Sequence, residues 1–434
     1  MNTVSPTEVA TATAELSPRV QEALGDLAGA AKGGLLALSV GVGLGVLETL
    51  MAEEVDELCG PKGRHDPDRT AFRHGTDEGS VTLGGRRVAV TKPRVRAVDG
   101  AGELPLSSYA YFSGRDPLAG VVLERMLAGV STRRYRRLQE PVGTEVEGSA
   151  KSTSKSSVSR TFIARTKETL GELMSRRLDD IRLAVLMIDG IDLKGRTNIV
   201  ALGISTDGVK IPLGLWEGSS ENKTVASALL ADLIDRGLDV EQGVLVVLDG
   251  AKALRAAVRT VLGDRTPVQR CIRHKERNVL DHLPEHMRDT VEKRLRGAWA
   301  LTDHNKALER LRKLAEELEH GHPGAAASLR EGMEETLTVI RLGVTGKLKQ
   351  TIESTNPAES MIECVRRSSR NVKNWQSGDM AMRWTAAGML EAEKQFRRVK
   401  GHAELADLAV AVERHLNPPE PNPVPSTKTA MVTA

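Results

Sequence analysis

Residues 182–190, RLAVLMIDG, and 243–258, GVLVVLDGAKALRAAV, decide the fold. Each runs through four or more apolar residues, reaches an aspartate and turns on a glycine, the pattern of a short buried strand. Between them, residues 197–206 (TNIVALGIST) and 210–218 (KIPLGLWEG) read as two further strands separated by the turn Thr206-Asp207-Gly208. Three strands joined by short turns predict an antiparallel meander. The helix NKTVASALLADLIDRGL (222–238) follows, with Leu229, Leu230, Leu233 and Ile234 on one stripe and Gly237 as C-cap. A second helix opens directly after Asp249, and TPVQRCIRH (266–274) reads as a last strand.

Working outward, residues 276–349 contain no strand signal and read as helices inserted into this α/β unit. Among them KALERLRKLAEELEH (306–320) places Leu308, Leu311, Leu314 and Leu318 at helical spacing, as in an amphipathic packing helix. Helix returns near SMIECVRR after the Asn356-Pro357 break. The order of three strands, helix, strand, helix, strand is that of an RNase H-like mixed sheet, three strands antiparallel and the rest parallel. The expected fold is therefore α/β with an all-α insertion, preceded by a mainly helical DNA-binding region. Its core would take 181–275 and 350–400, with the insertion at 276–349. Residues 401–434 would form a C-terminal helix and a Pro-rich tail.

Upstream, residues 1–60 read as an acidic helical region with one helix over 34–58, ended by Cys59-Gly60-Pro61. Residues 61–110 carry a β-hairpin between Gly79 and Val98, turning at Gly84-Gly85. In 111–180 the helix LAGVVLERMLAGV (118–130), the turn at GVS, the basic RRYRRLQEP (133–141) and a helix in 152–178 have the order of a helix-turn-helix reader. Its last helix would offer Lys155, Ser156, Ser157 and Arg160 to a major groove, with Val158 and Phe162 facing the core. A plain bundle with a basic outer face is the alternative.

Charge points the same way. The net +3 hides two basic against nine acidic residues in 1–60, 22 against 15 in 61–180, and nine against four in 361–400. Local positive fields of this kind suit a polyanion, since each neutralised phosphate releases counterions. At 3% aromatic residues a stacking platform for single strands is disfavoured, and duplex contact through Arg and Lys is expected. Three scattered cysteines build no disulfide framework, so a cytoplasmic home is expected. The glycine-rich apolar stretch 33–50 runs into MAEEVDE and reads as an amphipathic helix, neither a membrane span nor a signal peptide.

Asp189 and Asp249 occupy the same kind of place, and carboxylates at the ends of buried strands project into the crevice at the sheet edge. If the strands are neighbours, the two repel unless a cation intervenes. Hard oxygen ligands with open positions favour Mg²⁺ (or Mn²⁺). A third acid would allow two ions, the arrangement that activates the attacking oxygen and stabilises the leaving oxygen of a phosphoryl transfer. The alternative is that each Asp-Gly is only a turn.

The segments GLWEGSSENKT (214–224), VVLDGAKAL (246–254), CIRHKERNV (271–279) and STNPAES (354–360) resemble the signature segments of mutator-type bacterial insertion-sequence transposases, over roughly residues 110–400. The resemblance implies an RNase H-like Asp-Asp-Glu enzyme that binds terminal inverted repeats and catalyses metal-dependent DNA cleavage and strand transfer. Its first two acids land on Asp189 and Asp249. Its Glu, three residues after the Asn of a Thr-Thr-Asn segment that here reads Ser354-Thr355-Asn356, lands on Glu359, with Glu353 and Glu363 as rivals. Metal binding is implied for the same three residues. The family's Cys-x-x-His is matched by Cys271 and His274. As half of a zinc site this pair lacks its other ligands, and His274 reads as a phosphate contact, as support for the acids, or as a surface His beside a packing Cys.

Trp216, at the close of the third strand, is read either as a stacking platform for a displaced base or as a cap on the core. Arg366, Arg367, Arg370 and Lys373 are expected to form a basic stripe after Glu359 on the last helix, suited to clamping phosphates. In the insertion, Lys293, Arg294 and Arg296 are further phosphate candidates, and replacing the insertion by a short linker is expected to leave the core folded. Partners would be transposon-end and target duplexes and, because two ends must be joined, at least one further copy of the chain, with no membrane. A non-catalytic DNA-binding regulator and an RNase H-like nuclease are the competing functions.

Overall fold

The computed structural model describes residues 35–64, 66–135, 150–152, 154–218 and 222–418. The chain forms two compact units, Met1–Thr166 and Lys167–Ala434.

In the first unit helix α1 (Leu35–Cys59) buries Val40, Leu47, Met51 and Val55, one face at helical spacing, with strands β1 (Ala71–Leu83) and β2 (Arg86–Ala97). The two strands form the expected hairpin, closing from Leu83↔Arg86 over Gly84 and Gly85, both at positive φ. The hairpin begins eight residues earlier than the alternation at Gly79 suggests. Its early part, residues 72–78, is exposed on both faces and carries a register shift between Arg73 and Thr76, so no apolar period announces it. The short strand β3 (Glu103–Leu104), helices α2 (Ser107–Gly114), α3 (Gly120–Leu127) and α4 (Thr132–Tyr135) and strand β4 (Lys151–Ser152) follow, and helix α5 (Lys155–Ser175) begins in this unit and ends in the second. β3 and β4 both pair with β2. Asp116, just before α3, accepts from the Gly84 and Gly85 amides at 2.9 and 2.7 Å and so fixes the hairpin turn. Of the expected helix-turn-helix, Val158 and Phe162 are buried and Lys155, Ser156 and Arg160 exposed, with Ser157 half-buried. The part of the basic segment after Tyr135 lies outside the described residues, as does the Pro-rich tail after residue 418.

The second unit is built on strands β5 (Leu183–Asp192), β6 (Thr197–Ser205), β7 (Lys210–Gly218), β8 (Leu245–Leu248) and β9 (Val268–Arg270). Their order is β7-β6-β5-β8-β9, antiparallel from β5 to β7 and parallel from β5 through β8 to β9. The sequence expectation of an α/β chain with a mixed sheet is met. Helices α6 (Lys223–Asp235) and α7 (Lys252–Leu262) flank β8 in sequence.

Strand parity assigns the two faces of the sheet. Leu186, Ile188, Ile199, Ala201, Val246 and Leu248 pack with α6 and α7. Val185, Met187, Val200, Leu202, Leu245 and Val247 pack on the other face, against residues 339–412.

After β9 the chain runs through α8 (Ile272–Leu280), α9 (Glu285–Trp299), α10 (His304–Glu319), α11 (Pro323–Arg330), a 3₁₀ turn (Glu334–Leu337), α12 (Thr338–Arg341) and α13 (Gly346–Ile352). No strand is present among residues 276–349, all of which are described. Residues from Ile272 to Ile340 share an apolar core of their own, which includes the four leucines of the 306–320 helix. Helices α14 (Asn356–Ser369), α15 (Gly378–Glu393) and α16 (Leu405–Leu416) complete the unit. Among the described residues no helix is long and apolar enough to cross a membrane.

Candidate active site

Asp189 does not end its strand, as the sequence suggests; β5 continues to Asp192 because β6 keeps pairing with it through Asp192↔Thr197. Its parallel neighbour stops sooner. The β5–β8 ladder ends at Ile188↔Leu248, so Asp189 and Asp249 are the next residues on adjacent parallel strands. Asp189 continues the parity of Met187, the face covered by α14, and Asp249 follows directly on the end of β8. Glu359 stands in the first turn of α14, and Ala358, Met361 and Ile362 beside it are buried on that face. Pro357 at the start of the helix is favourable, because its missing N–H falls among donors with no helical acceptor.

The three acids lie within reach of one another's charge. Asp189, 6% exposed, has its carboxyl pushed up to about 6 by burial first and then by the charges of Asp249 and Glu359, against the pull of the Gly190 amide and His274. His274 Nε2 lies 3.6 Å from Glu359 Oε1. The Cys271 sulfur beside it, aided by Asp189 and Asp249 and against burial, raises the imidazole to about 9. His274 thus lies beside Glu359 and within reach of the charges of Asp189 and Asp249. Burial alone would raise the Cys271 thiol, but His274 and the Thr355 groups outweigh it and hold the thiol below its ordinary range.

Thr355 and Arg270, which sequence reading passes over, organise this cluster. The Thr355 amide donates to Cys271 Sγ at 3.4 Å, and its hydroxyl to Glu359 Oε1 at 3.4 Å. Arg270, buried at the end of β9, donates to the Glu331 carbonyl at 2.7 Å and to the Gly250 carbonyl next to Asp249. A charged residue inside the short strand before Cys271 is the signal that could have found it.

Glu353 is paired with Lys349 at 2.6 Å, and Glu363 is exposed. Trp216 lies within β7, opposite Ile199, and packs against the α6–α7 side of the sheet. The basic stripe is shorter than expected, and its helix is not the last. Arg366 and Arg367 are exposed in the last turn of α14, but Arg370 is its C-cap and Lys373 lies beyond it, where Gln376-Ser377-Gly378 leads into α15. In the insertion Lys293 pairs with Asp289, Arg294 with Glu317, and Arg296 with Glu276 and Glu292. These three are committed to carboxylates.

Among the described residues no three His, Cys, Asp or Glu side chains stand close enough to form a ready-made metal cage. Cys59 is buried in the first unit's core, and Cys364 accepts from Arg367 at 3.1 Å, so neither joins Cys271 and His274. The donor chemistry nevertheless fits a hard divalent cation. Three carboxylates share one field, and the raised proton affinity of Asp189 marks negative charge that a cation would neutralise.

Comparison with known proteins adds the family. The family model described as "Transposase, Mutator family" matches residues 32–399. The transposase for insertion sequence element ISRM5 of Rhizobium meliloti (strain 1021) is 25% identical over 366 residues, 84% of this chain and 89% of that protein. The transposase for IS1081 of Mycobacterium tuberculosis is 26% identical over 409 residues, 89% of this chain and 92% of its own. The transposase for IS6120 of Mycolicibacterium smegmatis is 27% identical over 278 residues, 63% and 79% of the two chains.

Proposed function

The chain belongs to the Mutator family of transposases, and from that premise we propose that it cuts DNA at the ends of an insertion sequence and joins the freed 3′-OH to target DNA, with Asp189, Asp249 and Glu359 as catalytic acids. The observation that carries this reading is the register of β5 on β8, which puts two aspartates on neighbouring strands beneath the helix that bears the glutamate. The strand order supports an RNase H-like core. Asp189, Asp249 and Glu359 would hold Mg²⁺ or Mn²⁺, which when bound supplies activation of the attacking oxygen and charge stabilisation of the leaving one.

The chain's own groups do the rest. Through a cation they would hold, the acids would fix where the scissile phosphate sits, and Thr355 holds Glu359 at the helix start. His274, cationic at neutral pH, balances the acids and can donate a hydrogen bond to a phosphate oxygen entering the cluster. Water is the first nucleophile and the DNA 3′-OH the second, so no covalent protein intermediate forms. Lys155, Ser156, Ser157 and Arg160 on α5 are the proposed end-reading face, and Arg366, Arg367, Arg370 and Lys373 the proposed contact to DNA beside the acids. Joining two ends calls for at least a dimer.

Purified protein with end-bearing duplex, in Mg²⁺ and in EDTA, tests this. Asp189→Ala, Asp249→Ala and Glu359→Gln should each abolish cleavage with DNA affinity within a few-fold of wild type. An active Glu359→Gln protein would transfer the role to Glu353 or Glu363. Cleavage without strand transfer would favour the nuclease, and neither activity the non-catalytic regulator.

A further inference from the structure

A cavity of about 370 Å³ opens where the loop into β9, the start of α10, the 3₁₀ turn, α12 and α16 meet. It lies at the entry end of β9, about 10 Å along the strand from Cys271 and the acid cluster. Arg255, Arg265, Arg341, His304 and His415 line it, together with three acids. Each acid is already neutralised: Glu335 by Arg255 at 2.7 Å, Asp264 by Arg259 at 2.7 Å, and Glu334 by Arg312 at 3.2 Å. Arg265 and Arg341 have no ion-pair partner among the described residues; Arg265 makes one long donation, 3.5 Å, to the His415 carbonyl. Both arginines are solvent-exposed at the cavity wall, and burial, with the charges of Arg341 and Arg265, holds the His415 imidazole below its ordinary range.

We propose that this cavity is an oxyanion site for a phosphate group, held by Arg265 and Arg341 with His304 and His415 as further donors. Two guanidinium forks match tetrahedral oxygens, and the volume admits one phosphate with its waters. The phosphate is carried either by the backbone of a bound duplex or by a free phosphate. The site uses none of the catalytic acids, so it stands whether or not the metal reading does.

The test uses the full chain, wild type against Arg265→Gln/Arg341→Gln, with Arg341→Gln alone as a second variant in case the double one misfolds. Arg265→Lys/Arg341→Lys retains the charge. One arm measures thermal stabilisation by inorganic phosphate and pyrophosphate at fixed ionic strength. The other measures duplex affinity against salt, where each lost phosphate contact lowers the log–log slope by about 0.9. If duplex phosphate is the ligand, the double variant should bind several-fold more weakly with a slope about one to two units lower. A saturable phosphate effect, lost in the Gln variants with duplex binding unchanged, would assign a free phosphate. In both cases the Lys variant should recover part of the effect. Folded Gln variants that match wild type in both arms would overturn the site.

Discussion

Asp189 is a residue whose charge works against the fold that holds it. Its folded value of about 6 stands above the unfolded value near 4. The stability it contributes is therefore full below about pH 4 and is lost as pH rises through 6. In EDTA, Asp189→Asn should be more stable than wild type at pH 7, by no more than about 3 kcal/mol, and the gap should close below pH 4. Chemical denaturation across that range measures it, and an equal gap at both ends would show that the charge is not the cause. Asp189 and Asp249 were legible in the sequence because an acid after an apolar run has few places to go. Thr355 and Arg270 were not, because their roles rest on partners scores of residues away, Cys271 for one and Glu331 for the other.

At the scale of elements the reading was strongest where period and burial agree. β5, β6 and β8 each alternate between two covered faces, β7 changes face at an irregularity in its ladder with β6, and all four are present where expected. The early half of β1 and the end of α14 were misjudged because exposed polar residues carry no period. The Gly84-Gly85 turn was read correctly, but its support by Asp116 was not, since an Asp-Pro pair more often marks only a helix start. Asp116→Ala leaves two turn amides without an acceptor and should lower unfolding free energy by about 1–3 kcal/mol, read as a lower denaturant midpoint. An unchanged midpoint would mean that water replaces the carboxylate at no cost.

For the whole molecule, the contacts redraw where it can be divided. A fragment of residues 110–180 would leave Asp116 without its glycines and would cut α2, losing Ser107 and Ser108 together with Glu54, whose carboxylate accepts from their amides at 2.7 and 3.0 Å. Circular dichroism should find that fragment unfolded and residues 1–180 folded, so end-binding assays belong on the longer piece. Excising all of 276–349 would also strip β9. Gln269 bonds the Thr336 carbonyl and the Val339 amide, and Thr338 bonds the Val268 carbonyl. A linker replacing 281–330 should preserve a cooperative melt, whereas one replacing 276–349 should lower it sharply.

The packing on the α14 face has a consequence for biosynthesis. Val185, Met187, Val200 and Val247 are in place by residue 250, yet apart from Leu170, Leu173 and Met174 of α5 the helical residues packed on that face arrive after residue 338. A nascent chain therefore carries a largely uncovered apolar sheet face while roughly a hundred further residues are translated, a delay of many seconds at about 5–20 residues per second. Products of early termination keep that face uncovered and lack Glu359. They should go to chaperones and proteases instead of persisting as inert, DNA-occupying competitors of the complete enzyme.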